Sequence, residues 1–338
     1  MAVAKESKKD GKGKKNDKGA GHGKDGEKGR KDKKGKKDGK DGRAKGRGAP
    51  EPRPAPERPD TPLRPLLRAP AGERLDLGAF DPASTPGGPD GKAAGLAATA
   101  QLAVPLAALQ ERLYAASTAG DRRRVLLVLQ GMDTSGKGGT VKHVIGLFNP
   151  AGCRIRSFKA PTPEEHAHPF LWRIRKALPV PGEIGIFDRS HYEDVLIARV
   201  RELVSRSQLN RRYAQINRFE QSLADDGVTL VKVFLHIGYE EQRERLLERL
   251  DNPDKHWKFD TGDIDERALW PEYRHAYELA LQRCSTEAAP WYVVPADRKW
   301  YRNWAITKLL LEHLEELDPR CPAAGFDVEE SRRRLLET

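Results

Sequence analysis

Residues 124–140 read RVLLVLQGMDTSGKGGT, an apolar run followed at once by a glycine-rich turn and a lysine. The run at 125–129 has the aliphatic side chains and the length of a buried strand. Gly131, Gly136 and Lys137 have the spacing Gly-x-x-x-x-Gly-Lys. Between a strand and a helix, such a turn lets backbone N–H groups surround phosphate oxygens while the lysine reaches the terminal phosphates. The pattern predicts a phosphate-binding loop (P-loop), the alternative being a tight turn with a solvated lysine.

The position after Lys137 departs from the usual P-loop, in which Ser or Thr supplies a hydroxyl to a metal ion. It is Gly138 here, and the nearest hydroxyl belongs to Thr140. Asp133, inside the loop, is the candidate replacement, because a carboxylate beside bound phosphates would be repelled without a cation. We therefore predict Mg²⁺ as cofactor; an aspartate that caps its own loop is the alternative. The predicted phosphate-binding residues are Gly131, Gly136, Gly138, Gly139 and Thr140.

A second motif follows the short apolar run at 184–187, which ends in Asp188 and Arg189. An aspartate at the carboxyl end of a strand in a parallel sheet lies at the ligand-binding crevice, and P-loop enzymes hold magnesium there. Arg189 can neutralise charge on a transferring phosphoryl group. A structural ion pair on the surface is the alternative. The predicted catalytic residues are Asp133, Lys137, Asp188 and Arg189, with Asp133 and Asp188 as metal ligands.

The remaining pattern alternates short apolar runs with longer helical segments, as in a parallel sheet wrapped by helices. A helix over 95–116 precedes this pattern, with a break expected at Pro105, and the last predicted helix covers 300–317. The fold class is therefore α/β. Five strands are predicted, at 125–129, 154–158, 184–187, 228–237 and 291–294.

Two groups of basic residues accompany these motifs. The segment 240–262 alternates Glu and Arg, which fits an exposed helix held by its own ion pairs. It also fits a lid, because phosphoryl-transfer enzymes close an Arg-bearing segment over the phosphates. An excess of Lys and Arg between the two motifs predicts a positive groove that leads to the site. The lid candidates are Arg245, Arg249, Lys255 and Lys258, and the groove candidates are Lys142, Arg154, Arg156 and Lys159.

The basic charge of the chain is concentrated at its start. The 338 residues have a net charge of +11, and residues 1–50 alone contain 16 Lys and 3 Arg against 8 acidic residues, which is again +11. The rest is neutral, so the high isoelectric point does not indicate a nucleic-acid-binding fold. Residues 1–50 also have too few apolar side chains to form a core, which predicts disorder. They are either a solvated tail or a loose tether for polyanions, with any binding of nucleic acid non-specific.

The other global features indicate a cytoplasmic protein. Cys153, Cys284 and Cys321 fit neither a disulfide framework nor a zinc motif. Neither a secretory signal nor a run of about 20 apolar residues is recognised, so no membrane association is expected. The predicted segments are a disordered tail at 1–64, a linker with a helix that packs on the core at 65–120, a catalytic domain at 121–318 and a C-terminal tail at 319–338.

Taken together, these motifs resemble the polyphosphate kinase 2 family. The resemblance covers about 122–317 and rests on LQGMDTSGKGGT at 129–140, FKAPT at 158–162 and FLWR at 170–173, together with FDRSHYEDVL at 187–196, WKF at 257–259 and APWYVVPADRKWYRN at 289–303. The residues SHYED resemble the class III subgroup, which accepts both AMP and ADP.

This resemblance implies a P-loop kinase fold similar to thymidylate kinase, with a helical lid. It also implies magnesium-dependent phosphoryl transfer between inorganic polyphosphate and AMP or ADP, or GDP, and places the residues named above in the catalytic site and the lid. We expect a homo-oligomer. Two alternatives share parts of the pattern: an ATP-dependent nucleoside monophosphate kinase of thymidylate-kinase type, and a non-catalytic polyanion-binding protein that acts through its tail.

If the basic tail is a tether, deletion of residues 1–50 should leave turnover at saturating substrate near the full-length value. Capture of long polyphosphate should weaken, most clearly at low salt, because the lost contacts are electrostatic. Steady-state kinetics at two ionic strengths would measure both effects. A collapse of turnover would show that the catalytic domain extends into the tail.

Overall fold

A five-stranded parallel sheet forms the centre of the protein, here a computed structural model that describes residues 61–338. The tail predicted over 1–50 lies outside the described residues. The strands follow the order β2-β3-β1-β4-β5. All five predicted strands are confirmed, each within one residue at either end. They are β1 Arg124–Gln130, β2 Cys153–Ser157, β3 Ile184–Asp188, β4 Val228–His236 and β5 Trp291–Pro295.

The helices account for most of the remaining described residues. Helix α2 runs without a break through Pro105, contrary to the predicted interruption, because Leu102 and Leu106 on either side of the proline are both buried. A helix also occupies part of the predicted tail at 319–338. The α-helices of the described residues are α1 Arg64–Leu67, α2 Gly91–Thr118, α3 Lys137–His143, α4 Pro163–His166, α5 Trp172–Lys176, α6 Ile197–Val200, α7 Arg206–Asp225, α8 Tyr239–Asp251, α9 Gly262–Ala268, α10 Trp270–Cys284, α11 Lys299–Leu317 and α12 Val328–Leu336.

Strand β1 is buried on both faces, as its uniformly apolar sequence predicts. Its side chains alternate between the two faces: Leu127 and Leu129 join the core on one side, and Leu126 and Val128 join the core on the other. Each such side chain contributes roughly 1.5–3 kcal/mol of burial free energy. The strand that delivers the P-loop is therefore fixed from above and below.

Helix α2 packs against α11 and closes one face of the core. The two helices approach closely at Gly95, where a Cβ atom would collide with the ring of Trp300. Among residues 61–338, α2 is the one helix long and apolar enough, by length and composition, to cross a membrane. Its alanines produce that composition without a continuous run of large apolar residues. Its Leu106 and Leu113 are completely buried in the core.

A charged network lies inside the other half of the core. Lys232 of β4 donates from Nζ to Glu220 Oε2 at 2.6 Å, to the hydroxyl of Tyr192 at 2.9 Å and to the carbonyl of Cys284 at 2.7 Å. Glu220 also accepts from Tyr192, and its Oε1 lies 3.1 Å from Nε2 of His191. Burial alone would raise the pKa of Glu220, but Lys232 and His191 hold it below its ordinary value. The network fixes the segment after β3 to β4 and α7.

Removal of one partner should show how much the pairing of Lys232 with Glu220 contributes to stability. We expect Lys232→Met to lower the free energy of unfolding by about 3–5 kcal/mol, because Glu220 loses its principal countercharge in the interior. Urea unfolding would measure the change. The double variant Lys232→Met with Glu220→Gln serves as control and should be more stable than the single variant. A loss below about 1 kcal/mol would contradict the importance of this pair.

Candidate active site

The P-loop forms the turn between β1 and α3. Gly131 and Gly136 have φ angles of +155° and +108°, which a side chain would strain. Lys137 opens α3, and its Nζ donates to the carbonyls of Gly131 at 2.7 Å and Met132 at 3.2 Å. Burial lowers the pKa of Lys137, although Asp133 opposes that effect. The ammonium group is thus held beneath the loop, among carbonyl oxygens.

The parallel pairing of β1 with β3 brings the second motif to this loop. Asp188 is in register with Leu129, two residues before Gly131. Arg189 follows with a φ of +63°, and its backbone N–H donates to the carbonyl of Leu129 at 3.1 Å. Its Nη2 donates to Asp133 Oδ1 at 3.2 Å. The four predicted catalytic residues therefore meet at one edge of the sheet.

Glu193 is a site residue that the sequence analysis missed. Burial raises its pKa, while Arg189 and Lys137 act in the opposite direction and Gln130 supplies a hydrogen bond. Its carboxyl group thus faces both predicted cationic residues of the site. The signal was present in the sequence, because Glu193 belongs to SHYED at 190–194, but that stretch was interpreted only as a mark of the subgroup.

Three hydroxyls of the P-loop region are buried without a hydrogen-bond partner among residues 61–338. They are Thr134 Oγ1, Ser135 Oγ and Thr140 Oγ1. A buried hydroxyl without a hydrogen bond is costly, so native proteins rarely keep one unless a ligand or water satisfies it. The predicted phosphate-binding loop therefore keeps three hydroxyls whose hydrogen-bonding capacity no described residue uses.

Arg245 is not the mobile lid residue that the sequence predicted. Its side chain is buried and donates to the carbonyls of Thr134 at 2.9 Å, Ala296 at 2.8 Å and Asp297 at 2.8 Å. Its Nε also donates to Glu241 at 2.6 Å. The helical spacing of Glu and Arg was right, but α8 directs this arginine under the P-loop. Arg245 therefore fixes the loop and is not free to close over phosphates.

The other lid candidates lie farther along the same segment. Arg249 donates to the carbonyl of Lys258 at 2.8 Å and lies 3.3 Å from Asp263, so it ties the segment to α9. Lys255 pairs with Glu248, and the ammonium of Lys258 lies over the ring of exposed Trp257. These contacts are internal to the segment and its neighbour α9. Their role as a lid stays a prediction.

The four groove candidates are not equivalent. Arg154 is held by Glu183 through contacts of 2.7 and 3.0 Å, which offset its charge. Lys159 lines a cavity, and Arg156 lies over the ring of Phe158 in the wall of the same cavity. Lys142 is exposed on α3. Arg154 and Arg156 thus have acidic partners, Glu183 and Glu165, the latter at 3.7 Å, whereas Lys159 lines the cavity.

Two cavities meet at Arg189. The larger has a volume of about 590 Å³ and is lined on one side by Phe158, Phe170, Arg173 and Arg212. The smaller, of about 130 Å³, is lined by Gly131, Met132 and Asp133 of the P-loop and by residues of α8, α9 and α10. Arg189, Glu193 and Ile197 line both. Arg189 therefore contributes its side chain to the walls of both cavities.

The carboxylates of the site supply only part of what a metal ion requires. Within residues 61–338, no three His, Cys, Asp or Glu side chains are grouped as a ready-made metal site. Magnesium, however, is usually bound through one or two carboxylates, several waters and substrate phosphates. Asp133 and Asp188, which the pairing of β1 with β3 brings to the same edge of the sheet, fit that second arrangement.

Known proteins of one family are similar to this chain in sequence. The family model described as polyphosphate kinase 2 (PPK2) matches residues 91–322. An AMP/ADP-polyphosphate phosphotransferase of Meiothermus ruber is 49% identical over 249 residues, which are 74% of this chain and 92% of that protein. An ADP-polyphosphate phosphotransferase of Rhodopseudomonas palustris is 40% identical over 248 residues, covering 69% of this chain and 84% of that protein.

A solved structure of the same family has a similar fold. The crystal structure of polyphosphate kinase 2 from Arthrobacter aurescens TC1 superimposes with a TM-score of 0.80 at 48% sequence identity, covering 82% of this chain and 98% of that one. The predicted α/β P-loop kinase fold is confirmed by this match and by the observed sheet. This chain belongs to the polyphosphate kinase 2 family.

Proposed function

We propose that this protein transfers a phosphoryl group between inorganic polyphosphate and a nucleotide, with AMP and ADP as acceptors and Mg²⁺ as cofactor. The observation that carries the proposal is the position of Arg189 between the two cavities, beside Asp133 of the P-loop. Transfer requires a donor and an acceptor that meet in line at one phosphorus atom, with positive charge around it. Arg189, which lines both cavities, would supply positive charge to a phosphoryl group shared between a donor on one side and an acceptor on the other.

The P-loop is the donor side. Its backbone N–H groups and the hydroxyls of Ser135 and Thr140 would bind donor phosphate oxygens. Lys137, which now donates to two loop carbonyls, has its pKa lowered by burial, and a bound phosphate would supply the missing countercharge. Arg189 would turn from Asp133 to the transferring group and stabilise the charge that spreads over its oxygens.

The larger cavity is the acceptor side. Phe170 provides aromatic surface for a nucleobase and Lys159 provides charge for its phosphates, while Arg173 and Arg212 are paired with Glu165 and Asp194 in the cavity wall. A volume of about 590 Å³ lies in the usual range for small-molecule sites. The relative from Meiothermus ruber is an AMP/ADP-polyphosphate phosphotransferase by name, which supports the choice of AMP and ADP.

Asp133 and Asp188 are the residues that would hold magnesium. When bound, the cation would offset the negative charge of the phosphates at the reaction centre. The protein supplies only part of the coordination, in keeping with a metal that arrives with its phosphate ligand. Asp133 also accepts from Arg189, so the same carboxylate positions the arginine before substrate enters.

Polyphosphate extends beyond the reacting phosphates, and its distal part would leave the P-loop along α3, where Lys142 is exposed. Lys159 lines the cavity assigned to the acceptor, whereas Arg154 is paired with Glu183. Removal of charge at Lys142 should therefore weaken long polyphosphate more than removal at Arg154. Each lost phosphate contact should cost on the order of 1 kcal/mol and reduce the salt dependence of binding.

The phosphoryl donor distinguishes a polyphosphate-dependent phosphotransferase from an ATP-dependent nucleoside monophosphate kinase. We expect the purified protein, with magnesium and AMP or ADP, to form ADP or ATP when polyphosphate is supplied. The products would be quantified by chromatography, with ATP as the competing donor in parallel reactions. If ATP phosphorylates AMP while polyphosphate phosphorylates neither acceptor, the protein is a nucleotide kinase of thymidylate-kinase type and this proposal is wrong.

The metal assignment predicts the effect of two isosteric substitutions. Asp133→Asn and Asp188→Asn should each lower kcat/KM by about a hundredfold or more, because charge compensation at the phosphates is lost. Part of the loss should be recovered at high magnesium concentration. Asp226→Asn, at the opposite end of the sheet, is the control and should keep the magnesium dependence of the unmodified protein. Near-normal activity of Asp133→Asn would exclude it as a ligand and make Thr140 the next candidate.

A further inference from the structure

Arg302 lies directly beneath the P-loop, in the first turn of α11. It belongs to the stretch ADRKWYRN at 296–303, to which neither the mechanism nor the family resemblance has given a role. Its side chain is 3% exposed, and its Nη1 donates to the carbonyl of Ser135 at 3.3 Å. A Cβ atom on Gly136 would collide with the same nitrogen, and one on Gly139 would lie 2.9 Å from Nη2. The guanidinium thus fills the space that side chains at these glycines would need.

Arg302 has no acidic partner among residues 61–338, unlike its neighbour. Arg245, which also lies under the loop, forms an ion pair with Glu241. Arg302 donates instead to the amide oxygen of Asn303, from Nε at 3.1 Å and Nη2 at 2.8 Å. Burial, together with repulsion from Arg245, lowers the pKa of Arg302 to about 10, which still leaves it charged at neutral pH. A buried cation without a countercharge destabilises a fold.

We propose that Arg302 is a positioning residue for the phosphate donor, whose charge acts through the Gly136–Gly139 turn on phosphates bound at the other side. The donor phosphates would then be the countercharge that the protein itself does not supply. This inference rests on the proposed function, because it assigns the P-loop to the donor. Glycine at both positions would then have a second role. Without a Cβ atom, the turn lets the Arg302 guanidinium approach the bound phosphates closely.

A purely structural role makes different predictions. If Arg302 only held the loop through Ser135, its loss would destabilise the ligand-free protein and weaken donor and acceptor together. If it acts as an uncompensated charge, its removal relieves a cost in the ligand-free protein and weakens the donor alone. The two roles therefore differ in the sign of the stability change and in the ligand that is affected.

The test compares the full-length protein with Arg302→Met and Arg302→Lys. Arg124→Met is the matched control, because Arg124 is also a buried arginine bonded to backbone carbonyls, but at the opposite end of β1. Calorimetry would measure the affinities for tripolyphosphate and AMP in the presence of magnesium. Thermal unfolding with and without tripolyphosphate would measure stability, and kinetics would give KM and kcat for polyphosphate.

We expect Arg302→Met to bind tripolyphosphate about tenfold more weakly and to raise the KM for polyphosphate to a similar extent. AMP affinity should be unchanged, and the ligand-free melting temperature should be equal or higher. The stabilisation by tripolyphosphate should shrink. Arg302→Lys, which keeps the charge, should retain most of the donor affinity. Arg124→Met should lower the melting temperature and leave donor affinity unchanged.

Two results would overturn the inference while leaving the proposed function intact. One is Arg302→Met with unaltered tripolyphosphate affinity, whatever its stability. Another is an Arg302→Lys variant as weak as Arg302→Met, because charge would then not be the cause. If the Met variant does not fold, Arg302→Gln takes its place, and unaltered donor affinity in that variant has the same meaning. Failure of the unmodified protein to bind tripolyphosphate would remove the proposed function, and this inference with it.

Discussion

The parallel pairing of β1 with β3 is the constraint on which the site depends. Because Leu129 and Asp188 are in register, the chain leaves both strands at the same edge of the sheet, and Arg189 can reach Asp133 across 56 residues of sequence. A shift of one residue would turn Asp188 to the other face and separate the two motifs. The burial of β1 on both faces makes such a shift costly, so the packing of the core and the geometry of the site have one origin.

Positive charge converges on the P-loop from several directions. Lys137 lies beneath it, Arg245 and Arg302 bind its carbonyls from α8 and α11, and Arg189 stands at its open side. Carbonyl oxygens partly solvate these cations in the interior, but only Arg245 and Arg189 have carboxylate partners among the described residues. Such an arrangement is unfavourable in the absence of anions and favourable when phosphates bind, because interior electrostatic interactions are weakly screened. A loop prepared in this way needs little reorganisation when its substrate arrives.

Buried charged residues also hold the segment after β3 in place. Ser190, His191 and Tyr192 are buried, and Glu220 with Lys232 holds two of them from α7 and β4. This network lies immediately between Arg189 and Glu193, two of the three residues that line both cavities. Its charges are therefore well placed to keep Arg189 in its left-handed backbone conformation.

The sequence by itself determined the strands, the P-loop, the motif at the end of β3 and the family. Local patterns indicate these features: apolar runs of strand length, glycines at fixed spacing and an aspartate after an apolar run. It did not determine the direction of Arg245, the continuity of α2 through Pro105, or the positions of Glu193 between the cavities and of Arg302 beneath the P-loop. Those depend on which face of a helix meets the sheet and on which charges share the interior. Only the tertiary structure decides them, because burial and electrostatic pairing arise between residues that are distant in sequence.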